Sequence, residues 1–241
     1  MIIYGINPVV EALRAGRVRE VRVADRDGGR LRELLDLARS TGVRVQRVQP
    51  DLIDRQARGG VHQGVVAEVE DVREYSLDEL VRDAAGVPLL VVLDGIEDPH
   101  NLGAILRTAD AAGADGVVIQ ERRSAALGGA AAKASAGAVS HVRIAEVVNI
   151  ARALEELKEL GVWTVGLAGE APASYGEVDL SLPTALVLGA EGAGLRRLVR
   201  ERCDLLVSLP MHGHVSSLNV SVAAGIMLYE AVRQRSPKRG A

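Results

Sequence analysis

Three stretches of this sequence set polar and glycine residues directly after apolar runs, and their side chains are of kinds that hold charged or hydroxyl-bearing ligands. In the first, Leu93-Asp94-Gly95-Ile96-Glu97-Asp98-Pro99-His100-Asn101-Leu102-Gly103-Ala104-Ile105-Leu106-Arg107-Thr108-Ala109, Asn101 and Arg107 interrupt an apolar, alanine-rich helical pattern. Gly103 and Arg107 share a helix face at a spacing of four. Read singly, Asn101 is a helix cap and Arg107 a solvated charge. The second stretch, Leu186-Val187-Leu188-Gly189-Ala190-Glu191-Gly192-Ala193-Gly194-Leu195, carries glycines after a strand, where they permit positive φ and close approach of a ligand to the backbone. Their order, G-x-x-G-x-G, is not the dinucleotide fingerprint G-x-G-x-x-G, and no acidic residue follows about 20 residues on. That disfavours a nicotinamide enzyme. Glu191 is either a ligand group or a favourable charge at the start of the next helix. The third stretch, Leu209 to Gly225, ends a strand, passes through small polar residues and starts a long helix at Ser217 or Asn219. His212 and His214 have no third ligand at matching spacing, so no metal is expected. Ser217 lacks a G-x-S-x-G elbow, which argues against a hydrolase.

These stretches require strands ahead of them and helices behind. Pro88 to Asp94 is a continuous apolar run, the mark of a strand buried on both faces in a parallel sheet. Further strands are predicted at Gly116–Gln120, Val162–Ala168, Ala185–Leu188 and Leu205–Leu209, with helices at Leu102–Ala112, Ile150–Leu160, Gly194–Arg200 and Val220–Arg235. The alternation predicts an α/β domain whose ligands sit beyond the carboxyl ends of the strands. Ahead of it lies a smaller α/β unit. Its predicted elements are a helix over Ile6–Gly16 capped by Asn7 with Pro8 in the first turn, a strand at Val18–Ala24 and a helix at Arg30–Thr41. A strand at Val43–Val48, a helix at Asp51–Arg58 and a strand at Gly64–Val69 complete it. Ser76 and Glu79 form a capping pattern in the acidic connection. The expected division is residues 1–70, a linker over 71–85, and 86–241. The Gly/Ala-rich stretch Ala125–Gly137 reads as a loop with a short helix, and the basic tail from Gln234 to Ala241 as a frayed end.

Composition narrows the function classes. With 48% hydrophobic and 25% charged residues over 241, the chain is globular rather than disordered or fibrous. The longest apolar runs are far shorter than the ~18–20 residues of a membrane helix, and no signal-peptide core follows Met1, so a cytoplasmic protein without a membrane partner is expected. Cys203 is the single cysteine, which excludes an intrachain disulfide. Residues 1–67 hold 12 Arg against 8 Asp and Glu (+4), and residues 68–241 hold 17 Lys and Arg against 24 Asp and Glu (−7). The basic front is compatible with RNA binding and equally with a solvated arginine face. With no Phe, one Trp and four Tyr there is no aromatic platform for stacking bases, so RNA would be recognised by hydrogen bonds and shape.

Taken together, the segments N-L-G-A-I-L-R, L-G-A-E-G-A-G-L and L-P-M-x-G-x-V-x-S-L-N-V-S-V-A resemble the signature motifs of the SpoU, or TrmH, family of SPOUT-class RNA ribose 2′-O-methyltransferases over residues 88–235. Ile3 to Val9 and Val61-His62-Gln63-Gly64-Val65 resemble the small ribosomal-protein-like RNA-binding domain that precedes the catalytic domain in one branch of it. That branch methylates a guanosine ribose of 23S ribosomal RNA in the peptidyl-transferase P loop. The resemblance implies a parallel sheet with a C-terminal trefoil knot, a homodimer, and S-adenosyl-L-methionine held by Gly189, Ala190, Leu209, Met211 and Leu218. It implies a catalytic set of Asn101, Arg107, Glu191, Ser217 and Asn219. His212 and His214 stand where the pattern has small residues. Two other readings remain: a tRNA ribose 2′-O-methyltransferase of the same family, and a non-catalytic RNA-binding ribosome assembly factor.

Overall fold

The computed structural model describes residues 1–24, 28–70, 73–122 and 124–236. The start of the expected linker at 71–72 and most of the basic tail lie outside them. In chain order the first elements are β1 (Ile2–Tyr4), α1 (Ile6–Arg14), β2 (Val18–Val23), α2 (Gly29–Ser40), β3 (Arg44–Arg47), α3 (Pro50–Ala57), β4 (Val65–Val69) and α4 (Leu77–Arg82). Then come β5 (Leu89–Asp94), α5 (Pro99–Ala111), β6 (Gly116–Gln120), α6 (Gly129–Ala134), β7 (Ile144–Val147), α7 (Ile150–Glu159), β8 (Trp163–Leu167) and β9 (Ala173–Ser174). The chain closes with β10 (Thr184–Gly189), α8 (Arg197–Arg202), β11 (Leu205–Ser208) and α9 (Val220–Arg235). Short 3-10 turns stand at Ala138–Ser140 and Tyr175–Glu177. By packing, these fall into two units: Met1–Val72 with Pro99–Arg107 and Ala125–His141, and the remaining residues.

The first unit is built on a four-stranded sheet of order β1-β4-β2-β3. Strand β4 runs antiparallel to both neighbours, and β2 and β3 pair in parallel. Its helices bury Val9, Ala12, Leu13, Leu31, Leu34, Ala38, Ile53 and Ala57, the faces set by their helical spacing. Asn7 is not the cap of α1. Strand β1 ends at Tyr4, so the chain must turn at Gly5, whose φ of 94° suits glycine, and Asn7 is already inside the helix. The alanines of α6 also find their reason here. A Cβ on Gly103 of α5 would lie 2.5 Å from Ala134 Cβ and 2.7 Å from the Ala131 carbonyl oxygen, so the two helices approach through residues with almost no side chain.

The second unit holds a seven-stranded sheet of order β7-β6-β5-β10-β8-β11-β9, parallel throughout. This is the α/β parallel architecture the alternation predicts. Strand β5 is buried along its whole length, as its unbroken apolar run requires. Helix α7 buries Ile150, Ala153, Leu154 and Leu157 in one stripe and is capped by Asn149, whose side chain accepts from the Arg152 amide at 3.1 Å. The predicted Ser76–Glu79 capping box is present at α4. Three differences from the sequence expectation have physical causes. Strands β1, β7 and β9, of three, four and two residues, are too short to show an alternation. Helix α8 begins at Arg197 rather than Gly194, because Gly194 has φ 65° and Arg196 is extended. Helix α5 begins at Pro99, a favoured first position, so Asn101 lies in its first turn rather than at its cap.

Strand β11 is pinned to β8 by Asp204. Its carboxylate accepts from the Thr164 amide at 2.9 Å and the Thr164 hydroxyl at 2.7 Å, and pairs with Lys158 at 2.9 Å. Partial burial opposes the charge, but the hydrogen bonds from Lys158 and Thr164 outweigh it and hold this carboxyl below its usual range. A lowered folded-state value contributes stability that is present above the unfolded value, ~3.9, and lost as pH falls through the folded one. Replacing Asp204→Asn should therefore lower Tm at neutral pH and leave Tm less sensitive to acidification than in the parent, as thermal melts across the acid range would record.

Candidate functional site

Strand β10 ends at Gly189, and the chain then makes a tight loop. The Gly194 amide donates to the Ala190 carbonyl at 2.8 Å and the Ala193 amide to the Glu191 carbonyl at 2.9 Å, with Gly192 and Gly194 at φ 73° and 65°. The loop folds back onto its own root. A Cβ on Gly189 would lie 2.1 Å from the Gly194 carbonyl carbon and 2.3 Å from the Leu195 amide nitrogen, so only glycine admits this peptide.

Beside the loop, at the carboxyl ends of β8, β10 and β11, is a cavity of about 420 Å³. That is within the ~300–1,000 Å³ usual for small-molecule sites. One wall is Gly189, Ala190, Glu191 and the rest of the glycine loop, another is Leu209, Met211, Ser217 and Leu218, and Val220 and Ala223 of α9 close it. The five residues expected to bind cofactor therefore line a single cavity, with Glu191 and Ser217. Asn219 joins them by capping α9: its side-chain oxygen accepts from the Ser221 amide at 2.9 Å and the Val222 amide at 3.4 Å. Its amide nitrogen donates to the Glu191 carboxylate. Glu191 is thus held at the start of α9, not at the start of α8, the helix that follows it in sequence.

Asn101 and Arg107 are not grouped with this cavity; both lie on the part of α5 that belongs to the other unit. Asn101 is buried and Arg107 exposed. His212 and His214 are exposed on the loop between β11 and α9. Among the described residues no cluster of three or more His, Cys, Asp or Glu side chains could hold a metal ion. Residues absent from the expected site complete the cavity: Leu167 at the end of β8, Ala168, Gly169 and Glu170 after it, and Arg200 of α8, which forms an ion pair with Glu170. The glycine following the predicted strand Val162–Ala168 was the available signal. Cys203 is no nucleophile, since burial pushes its thiol up to about 12 and its Sγ donates to the Val199 carbonyl at 3.3 Å.

A glycine loop, a capped helix and a cavity between strand ends are shared by many α/β proteins, and comparison with known proteins decides among them. The profile of the SpoU rRNA Methylase family matches residues 88–229, and that of the RNA 2′-O ribose methyltransferase substrate-binding family matches residues 2–75. The chain belongs to the SpoU methylase family. It is 49% identical over 98% of its length, and 97% of the relative's, to the 23S rRNA (guanosine-2′-O-)-methyltransferase RlmB of Pseudomonas syringae. The crystal structure of the SpoU methyltransferase AviRb from Streptomyces viridochromogenes in complex with AdoMet superposes with a TM-score of 0.82 at 30% identity, over 98% of this chain and 90% of that one. The A. aeolicus TrmH/SpoU tRNA modifying enzyme matches with a TM-score of 0.56 at 36% identity, over 65% of this chain and 80% of that one.

Within this SpoU chain the Gly189 contact makes a direct prediction. Gly189→Ala should displace the Gly194–Leu195 peptide and lower stability by ~1–3 kcal/mol, the usual cost of overpacking. Chemical denaturation measures it. A variant as stable as the parent would show that the loop shifts without resistance.

Proposed function

We propose that this SpoU-family chain methylates the ribose 2′-oxygen of a guanosine in the peptidyl-transferase P loop of 23S ribosomal RNA, using S-adenosyl-L-methionine as donor. The observation that carries the reading is the convergence of Gly189, Ala190, Glu191, Leu209, Met211, Ser217 and Leu218 on one cavity. The residues suit the donor. Loop backbone and a side-chain-free Gly189 offer amide and carbonyl groups at close range, while Leu209, Met211 and Leu218 supply apolar surface. Bound there, S-adenosyl-L-methionine supplies a methyl group that is already electrophilic.

The remaining work falls to the chain's own groups. Arg107, with Asn101, is assigned to the ribose: the guanidinium holds the 3′ phosphate and draws charge from the 2′-hydroxyl. With a pKa above ~12 it is a poor base at neutral pH, so it acts as an electrostatic clamp. Glu191, steadied by the Asn219 amide, and the exposed Ser217, both on the cavity, are assigned with them to the acceptor. Holding donor and acceptor in line supplies part of the ~7–11 kcal/mol available from orientation. Residues 1–70 are assigned to RNA binding, 71–85 to the linker and 86–241 to the knotted catalytic domain. In support of the knot, β11 lies between β8 and β9, and α9 packs back on β10. A homodimer fits the outer face of α9, where Val222 and Tyr229 are 51% and 53% exposed beyond Leu218. The reading places the enzyme with its ribosomal RNA in the cytoplasm, and no helix among the described residues is long and apolar enough to cross a membrane.

Labelled methyl transfer to unmodified 23S rRNA, to tRNA and without RNA tests the proposal. Label on 23S rRNA is expected; label on tRNA alone would move the assignment to the tRNA branch, and no label at all would leave an RNA-binding assembly factor. Arg107→Lys keeps the charge and loses the fork, and should reduce kcat by ~10²–10³, as removal of an oxyanion-type donor does. A near-native rate with a shifted pH profile would instead make residue 107 the proton acceptor.

A further inference from the structure

Asp94, the last residue of β5, has a fully buried side chain and sits in register beside Gly189 at the end of β10. Both of its oxygens are taken by one residue 102 positions away: Oδ2 accepts from the Arg196 backbone amide at 2.8 Å, and Oδ1 from Arg196 Nε at 2.6 Å. Arg196 Nη2, which also pairs with Asp94 Oδ1, donates to Gln120 Oε1 at 2.7 Å, and Gln120, the last residue of β6, donates in turn to the Val148 carbonyl at 3.1 Å. Arg196 thus spans the ends of β5 and β6 from the residue that closes the glycine loop.

A carboxylate buried as fully as Asp94 must be paired to be tolerated, and its half-exposed partner Arg196 supplies a defined geometry more than it supplies stability. Here that geometry belongs to the loop. Gly194 rests on Gly189, Leu195 packs on the core of the second unit, and Arg196 is tied to Asp94, so three consecutive residues are fixed while Glu191 is tethered separately through Asn219. We infer that Asp94, acting through Arg196, is a positioning residue for the methyl donor: it sets the loop backbone that forms the donor wall of the cavity and touches neither donor nor acceptor. This rests on the proposed function. Because Glu191 has its own tether, loss of the Asp94 clamp falls on donor affinity and not on the rate at saturation.

Titration calorimetry of S-adenosylmethionine into the full-length chain, with steady-state kinetics on RNA below each variant's Tm, tests this. Asp94→Asn should weaken donor binding by ~10-fold or more, the size of a hydrogen bond to a charged group, and raise KM for the donor while kcat at saturating donor is kept. Arg196→Lys, which keeps the charge, should bind donor better than Arg196→Gln. Should Asp94→Asn fail to fold, Gln120→Leu cuts only the outer bond and should weaken donor binding by about 2–10-fold, the size of one hydrogen bond. Variants that lose Tm yet bind donor like the parent would reduce the clamp to a structural contact and overturn the inference. A parent chain that binds no S-adenosylmethionine would overturn the proposed function first, and this inference with it.

Discussion

The second unit depends on one close contact, the seating of the Gly194–Leu195 peptide directly on the α-carbon of Gly189. Without a Cβ at that position the loop can close on its own root, and the closure places Glu191 where Asn219 can reach it. The cavity wall then consists of backbone amides and carbonyls held by strand ends. Such a wall is held where its root joins the sheet at Gly189, and polar groups already in place for a ligand cost no reorganisation when it binds.

Helix α9 extends that logic. Asn219 uses its oxygen to satisfy the first amides of the helix and its nitrogen to hold Glu191, so one amide side chain both starts a helix and orients a carboxylate. At the other end of the helix, Arg235 donates to the carbonyls of Val87, Leu180 and Leu182. The helix is fixed at both ends, and its N-terminal turn, with Val220 and Ala223 on the cavity, inherits that fixity.

How much of this is legible in the residues differs by element. Strands β5 and β6 and helix α9 are readable because burial on both faces, or a long run from a capping residue, leaves a continuous pattern. Strands β1, β7 and β9 are not, since so few residues carry no period, and pairing with a neighbour is what makes them strands. The loop before α8 reads as helix because its Gly-Leu-Arg-Arg run has no visible stop; the stop is Asp94, 102 residues earlier, which captures the Arg196 amide. Gly189, Ala190, Glu191, Leu209, Met211, Ser217, Leu218 and Asn219 can be picked out from the residues because each lies in a short local motif, and the fold brings those motifs to one cavity. Leu167 to Glu170 were not, because an ordinary strand end becomes a wall only through sheet order, which places β8 between β10 and β11.

Charge around the cavity follows from the same arrangement. Asp94 is neutralised by Arg196, and Glu170 by Arg200, so those carboxylates contribute little net field. Glu191 instead takes its hydrogen bond from the neutral amide of Asn219, so the carboxylate that lines the cavity is oriented by a helix cap and not by an ion pair of that kind.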